Sequence, residues 1–333
     1  MSPTRARWLQ VVVWVVVLAG LVVFARSVNW RDTVAAMRGA SLSMLVAAAL
    51  VNLASLAFKA VRWWVFLRPV GVGLRLATRA TFAGAALNNL LVANSGEAAR
   101  VLLVARTANV ASASILATLA LERLFEAVGY VLMLALAGTV LPLPPYLEAM
   151  RPLAIIALVT TTVVLVFAVR SPAGALPLDA TGTGAVASAG AYLGRMMHTL
   201  RGVSTAPRFA AALLLSIAEW LLQVATYHLT AVAAHFPISV GQTVAALLAV
   251  NVGFAVRTTP GGVGLFQVLY AVTLASMGFD KNTATGVALL IQAQQLIPVT
   301  ILGLLAAPEM INGKRPLTPI SPPASSANRP DTA

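Results

Sequence analysis

The stretch ATFAGAALNNLLVANSGEAAR, residues 80–100, decides the fold. A membrane-spanning helix needs about 20 mostly apolar residues. Ala80 to Val92 is apolar for too short a distance, and it carries Asn88 and Asn89. Asn94, Ser95, Gly96, Glu97 and Arg100 follow, and Val101 to Ala105 is apolar again up to Arg106. The pattern predicts a helix, a polar turn and a second short helix: hairpin A, re-entering the membrane from one face. The other half of the chain holds a segment of the same kind. Thr243 to Val256 and Val263 to Met277 are short apolar arms around Arg257-Thr258-Thr259-Pro260-Gly261-Gly262, which we name hairpin B. Non-helical backbone at membrane depth is tolerated only where it is buried in protein or lines a cavity. One broken segment in each half suggests an inverted repeat, the arrangement with which secondary transporters build a midplane site. The two breaks are therefore expected to face a shared cleft.

The composition sets the class around these hairpins. Of 333 residues, 59% are hydrophobic and only 10% charged, against roughly 25% charged in soluble domains. The mean hydropathy is +0.87. These values describe an all-α, polytopic membrane bundle. The absence of cysteine excludes disulfides, thiolate metal sites and cysteine nucleophiles. Three histidines leave little for a haem or zinc site, and no metal or cofactor is expected. The net charge of +13 could suggest nucleic acid. The cations flank apolar runs instead, which is the pattern that sets membrane orientation, so no nucleic-acid partner is expected.

Full spans are expected at Trp8 to Ala25, Leu42 to Leu67, Ser112 to Leu141, Leu153 to Val169, Ala210 to Ala234 and Thr285 to Ala306. The first run is long for a signal core and lacks a small-x-small site, so it is expected to be retained. Trp30 to Arg38 reads as an interfacial stretch. Lys59, Arg62, Trp63, Trp64 and Arg68 read as an aromatic belt with snorkelling cations at a membrane boundary. Pro142, Pro144 and Pro145 end the third span. Ala173 to Pro207 reads as a loop with a surface helix near Ala191 to Leu200. Residues 1–308 form one integral-membrane domain in this reading, and 309–333, rich in Pro, Ser and Asn, form a disordered tail.

About six spans and two hairpins place both termini on one side. Arg5, Arg7, Lys59, Arg62, Arg68, Arg75, Arg79, Arg100, Arg106, Arg170, Arg195, Arg201, Arg208, Lys314, Arg315 and Arg329 then lie inside. Arg26, Arg31, Arg38, Arg151 and Lys281 lie outside. A bias of roughly three to one makes the termini cytoplasmic.

The exceptions to this collar are the chemically informative residues. An ionisable side chain at the bilayer centre costs about 2.5 kcal/mol or more. Glu122, Arg123, Glu126, Glu219 and Arg257 carry that cost. Glu122 and Glu126 share a helical face and repel unless a cation lies between them. Arg257, Arg123 or Arg100 is the natural partner. The arrangement is either an ion-pair network that locks helices or a charge-lined site for an ionic ligand. At the turn of hairpin A, Ser95 or Asn94 can cap a helix that starts near Gly96, with Glu97 in its first turn. The amides of that start, with Arg100, suit an anion such as phosphate. In hairpin B, Pro260 fits a first helical turn, and Gly261, Gly262 and Gly264 permit close backbone approach. Thr258 offers a hydroxyl, and Arg257 can hold a phosphate bidentately. No Lys-Ser/Thr follows the glycines, so this is not a P-loop. His228 reads as a hydrogen-bonding residue, and Gln292 and Gln295 as interhelical glue or as part of the cleft lining.

Three blocks in order carry a family resemblance. They are Gly84-x-x-x-Asn88-Asn89 leading to Gly96-Glu97-x-x-Arg100, then Glu122-Arg123, then Arg257-x-x-Pro260-Gly261-Gly262-x-Gly264-x-Phe266. Together, over roughly residues 10 to 308, they resemble the lysylphosphatidylglycerol synthase transmembrane-region family, also called the flippase-like domain. The resemblance implies an inner-membrane protein. In fused members this region is linked to moving aminoacylated phosphatidylglycerol between leaflets, while a separate soluble domain performs aminoacyl transfer. That domain has no counterpart here, so this chain is not expected to be an enzyme that makes lysylphosphatidylglycerol. The sequence departs from the family pattern at three places. Val92 stands near a frequent Pro, Glu126 replaces an Asp, and Gln267 replaces a Glu.

The expectation is a lipid translocase-like protein. Asn88, Asn89, Ser95, Gly96, Glu97, Arg100, Arg257, Thr258, Pro260, Gly261, Gly262 and Gly264 would contact the headgroup of an anionic phospholipid or lipid-linked sugar. Glu122, Arg123, Glu126 and Glu219 would form the charge network. The alternatives are an intramembrane enzyme on a lipid-linked substrate and a non-transporting scaffold partnering an envelope-lipid enzyme.

Overall fold

The computed structural model describes residues 25–91, 95–140, 143–170, 185–254 and 260–306, and all regular structure among them is helical. The helices are α1 Trp30–Arg38, α2 Leu42–Leu67, α3 Leu74–Leu90, α4 Ser95–Ala108, α5 Ser112–Val140 and α6 Pro145–Arg170. They continue as α7 Ala185–Val203, α8 Ala206–Ala233, α9 Val240–Phe254, α10 Leu265–Ala275 and α11 Lys281–Ala306. Helices α2, α5, α6, α8 and α11 run 26, 29, 26, 28 and 26 residues. At about 1.5 Å per residue each exceeds a hydrocarbon core of about 30 Å. Among the described residues, three stretches meet both length and composition for crossing a membrane: Leu42–Val70, Ala206–Ala233 and Lys281–Ala306. The span at Trp8 to Ala25 and the tail 309–333 lie outside the described residues.

The burial pattern is that of a protein dissolved in lipid. Leu42 is 75% exposed and Leu305 70%, whereas Arg62 and Glu122 are fully buried. Water would reverse that distribution. The chain is a multi-pass membrane protein.

Both hairpins form. Hairpin A is α3 and α4. Its arms meet at Gly84 and Gly96, where a Cβ on Gly96 would lie 1.9 Å from the Gly84 carbonyl oxygen. Hairpin B is α9 and α10, with 15 and 11 residues, each too short to cross alone. Ser239 and Gln242 start α9 with a reciprocal cap. The Ser239 amide donates to Gln242 Oε1 at 2.9 Å, and the Gln242 amide donates to Ser239 Oγ at 3.2 Å. Helices α2 and α8 pack along each other at the centre, and α11 packs against α3 and α10. Hairpin A joins α2 and α5 in one core around Trp63, Leu67, Val104 and Ile115. Hairpin B joins α8 and α11 in another, around Trp220, Tyr227, Phe266 and Tyr270.

Pro298 inside α11 shapes this interface. Proline has no N–H to donate to the carbonyl four residues earlier. The carbonyl of Gln294 instead accepts from Asn52 Nδ2 of α2 at 3.2 Å.

Three expectations need correction. Pro145 does not only end a span. It is the first residue of α6, where the fixed φ and missing N–H of proline are tolerated. The helix anticipated near Ala191 to Leu200 runs from Ala185 to Val203, and Leu200 and Val203 are buried against Phe66, Leu121 and Phe125. Arg62 and Trp63 are not part of a boundary belt, because both are fully buried. Only Arg68, exposed and 5.7 Å over the Trp64 ring, fits the snorkelling description.

Candidate functional site

Four carboxylates and four cations meet at the junction of α2, α4, α5 and α8. On α5, Glu122 Oε2 lies 3.1 Å from Arg100 Nη2, and its other oxygen lies 3.5 Å from Arg62 Nη2 and 4.0 Å from Lys59 Nζ. Glu126 takes Lys59 Nζ and Arg123 Nη1, both at 2.8 Å. Glu219 on α8 lies 2.6 Å from Arg62 Nη1. Glu97 pairs with Arg100 at 3.2 Å and with Arg123. Lys59 thus stands between Glu122 and Glu126 and removes the repulsion that their spacing creates. The cluster is neutral in sum, which makes its burial tolerable. Arg100 is further held against the Trp63 ring, 4.1 Å from its centroid.

This cluster corrects the cation assignment made from sequence. Lys59, Arg62 and Arg100 belong to the buried network rather than to the cytoplasmic collar. The signal was present in α2. Asn52, Ser55, Lys59 and Arg62 recur at three- and four-residue intervals in an otherwise apolar helix, which puts them on one face.

Next to the cluster lies a polar cavity of about 240 Å³. It is lined by Asn52, Ser55, Leu56 and Lys59 of α2, Ala85, Asn88 and Asn89 of α3, and Glu219 and Gln223 of α8. Gln295, Leu296 and Val299 of α11 complete it with Gly261 and Gly262. The end of α3 and the Pro260–Gly262 turn therefore share a cleft, whereas the described part of the hairpin A turn, from Ser95 on, does not line it. Gly261 sits at φ 61°, and a Cβ there would lie 3.0 Å from the Leu296 side chain and 3.4 Å from the Asn89 carbonyl oxygen. Both the backbone angle and the space select glycine.

Amide side chains hold the hairpin B turn in place. Gln292 Nε2 donates to the Gly261 carbonyl at 3.0 Å, and the Gly264 amide donates to Gln267 Oε1 at 2.7 Å. Gln267 Nε2 in turn donates to Gln292 Oε1. A glutamate at 267 could accept from Gly264 but could not donate to Gln292, so the glutamine suits this bracing.

The structure divides the sequence-predicted site. Asn88, Asn89, Gly261 and Gly262 line the cavity, and Glu219 lines both cavity and cluster. Ser95, Gly96, Glu97 and Arg100 do not line it. The Gly96 amide donates to Asn88 Oδ1 at 2.8 Å, Ser95 Oγ donates to the Leu87 carbonyl at 3.5 Å, and Glu97 and Arg100 turn into the ion cluster. Glu122, Arg123 and Glu126 form the cluster as a unit. Gly264 caps α10 at φ 90°, and Pro260 opens the short turn Pro260–Gly262. Arg257, Thr258 and Asn94 lie outside the described residues. His228 Nδ1 lies 3.2 Å from Thr243 Oγ1, a hydrogen bond between α8 and α9. Sequence reasoning passed over Asn52 and Ser55, and of the two readings of Gln295 the cavity lining is the one observed.

A helical membrane bundle with a polar cleft between two broken segments, backed by buried ion pairs, defines the class. Residues 9–303 match the family described as "Lysylphosphatidylglycerol synthase TM region". The chain belongs to that family, whose members are membrane proteins linked to lipid handling. A search of curated proteins finds no match to this chain.

Proposed function

We propose that the chain is a lipid translocase that takes the headgroup of a phospholipid or lipid-linked sugar into the cleft between hairpins A and B. The acyl tails stay in lipid. The observation that supports this reading is the cavity itself. Both broken segments and three long helices contribute polar groups to one space beside a buried charge cluster. A scaffold without transport would favour a dry contact between the hairpins.

In this reading the ion cluster is a rigid neutral wall. Arg100, buried and bound to Glu97 and Glu122, positions that wall and does not take phosphate. Arg257 and Thr258, just before the Gly261–Gly262 turn in sequence, remain the phosphate ligands of the proposal. Asn88 and Asn89 contact headgroup hydroxyls. The protein acts in the cell membrane with both termini cytoplasmic. It performs no chemistry on the lipid and uses no cofactor.

Headgroup translocation in proteoliposomes tests the reading. Arg257→Ala should slow it at least tenfold in correctly inserted protein. Translocation at the unmodified rate would remove Arg257 from the site. Conversion of the lipid without net movement would overturn the transport reading in favour of an intramembrane enzyme.

A further inference from the structure

The cavity lining also selects a headgroup class, an inference that rests on the cleft being the lipid site. We infer that its described lining is built for a hydroxyl-rich headgroup, a saccharide or polyol with or without a phosphate link, and not for a cationic aminoacyl group or a bare phosphate.

The charged members of the described lining are already ion-paired. Lys59 lies 2.8 Å from Glu126, and Glu219 lies 2.6 Å from Arg62. A cationic headgroup drawn to Glu219 would compete with a fully buried guanidinium. Arg62 would keep Glu122, at 3.5 Å, so the cation would have to displace the shorter of its contacts. A bare phosphate drawn to Lys59 would compete with Glu126, which holds Arg123 as well, at 2.8 Å.

What the lining offers beyond these pairs is amide and hydroxyl chemistry. An amide side chain presents donors and an acceptor together, and a hydroxyl is both donor and acceptor, so the two match. Phosphate oxygens only accept, and an ammonium only donates. Asn89 uses its Nδ2 on Thr300 Oγ1, at 3.1 Å, and on the Leu296 carbonyl. No described residue donates to its Oδ1, which is left as an acceptor. Gln295 lines the cavity from α11. Gln223, one turn beyond Glu219 on α8, lines the cavity and makes no hydrogen bond among the described residues, so its whole amide is available. These groups lie on α3, α8 and α11, and they approach a headgroup from different sides.

Competition by native mass spectrometry on the full-length protein tests this, with four lipids of matched acyl chains. Galactosyl-diacylglycerol is a sugar without phosphate, and phosphatidylinositol is a polyol with one. Phosphatidic acid and lysylphosphatidylglycerol supply the bare phosphate and the cation. Both hydroxyl-rich lipids should be retained at least tenfold over the other two. Binding of phosphatidylinositol alone would tie the polyol to a phosphate-linked source, and equal binding of both would place recognition in the hydroxyls. Gln223→Leu should erase the preference, and Ser55→Ala should weaken it if the leucine variant does not fold. Equal or tighter binding of lysylphosphatidylglycerol or phosphatidic acid overturns the inference, as does an unchanged preference in a folded Gln223→Leu. The two readings fail separately. A hydroxyl preference without translocation removes transport alone, and translocation without the preference removes the headgroup class alone.

Discussion

Arg62 Nη1 lies 2.6 Å from Glu219 Oε2, and this pair ties α2 to α8 at the point where the ion cluster meets the cavity. The same guanidinium donates to Ser216 Oγ at 3.0 Å and faces Glu122 at 3.5 Å. Removing it leaves the buried Glu219 without its cation, while Glu122 keeps Arg100, and removing Glu219 leaves Arg62 another carboxylate. Arg62→Met should therefore cost about 3–5 kcal/mol. Glu219→Gln keeps a hydrogen-bonding group beside Arg62 and should cost less. Thermal unfolding in detergent checks the order. The double variant should be less destabilised than the sum of the two, since they share one contact.

The crossing of hairpin A is equally demanding. A methyl group added to Gly96 would lie 1.9 Å from the Gly84 carbonyl oxygen, so Gly96→Ala must move α4 away from α3. Overpacking of this kind costs typically about 1–3 kcal/mol. The shift also pulls the Gly96 amide from Asn88 Oδ1, which frees a side chain of the cavity wall. A lowered Tm together with altered lipid retention is expected. Gly202→Ala, where nothing lies within 4 Å of the added atom, should change neither.

The hairpins were legible in the sequence because a break inside an apolar run has few explanations. Asn88-Asn89 and Pro260-Gly261-Gly262 each interrupt a stretch too short to span, and the backbone rule for lipid then requires protein or a cavity around them. The ion cluster was half legible. Glu122 and Glu219 sit in apolar helices and are buried, and Glu126, with its side chain 26% exposed, joins them at the edge. Lys59 and Arg62 stand beside two tryptophans near a helix end. That is the same local pattern whether the cations snorkel to water or turn inward. Only the approach of α5 and α8 separates the two, and no local pattern encodes it. Gly96 was misjudged for a related reason. A helix start suits an anion in isolation, but Asn88 of the facing arm already occupies the Gly96 amide.

Asp280 gives a prediction outside the membrane helices. Its carboxylate accepts from the Thr283 amide at 2.8 Å and from Thr283 Oγ1 at 2.7 Å, which caps α11. The backbone hydrogen bond from Thr283, followed by that from its hydroxyl, holds the carboxyl below its ordinary value. A depressed folded pKa means that this stabilisation is present above the unfolded value, about 3.9. It is lost as pH falls through the lower folded value. Asp280→Ala should cost about 0.5 kcal/mol at neutral pH, the low end for a cap because the site is solvated. The Tm gap between variant and wild type should close as pH is lowered from 5 to about 3. A gap that is constant with pH would mean that the carboxylate charge contributes nothing.

The contact between Asn52 and Gln294 makes a prediction with a built-in control. Asn52 Nδ2 donates to a carbonyl that Pro298 cannot serve. Asn52→Leu should leave that carbonyl without its donor, at a cost of about 1–3 kcal/mol. Pro298→Ala restores an N–H four residues on, which can donate to the same oxygen. In the Pro298→Ala background the cost of Asn52→Leu should therefore fall to the loss of packing alone. A double-mutant cycle on Tm reads the difference directly. If Asn52→Leu costs the same in both backgrounds, the Gln294 carbonyl is not what Asn52 serves. Asn52 would then belong to the cavity as a ligand group, and the same variant should instead lose lipid retention.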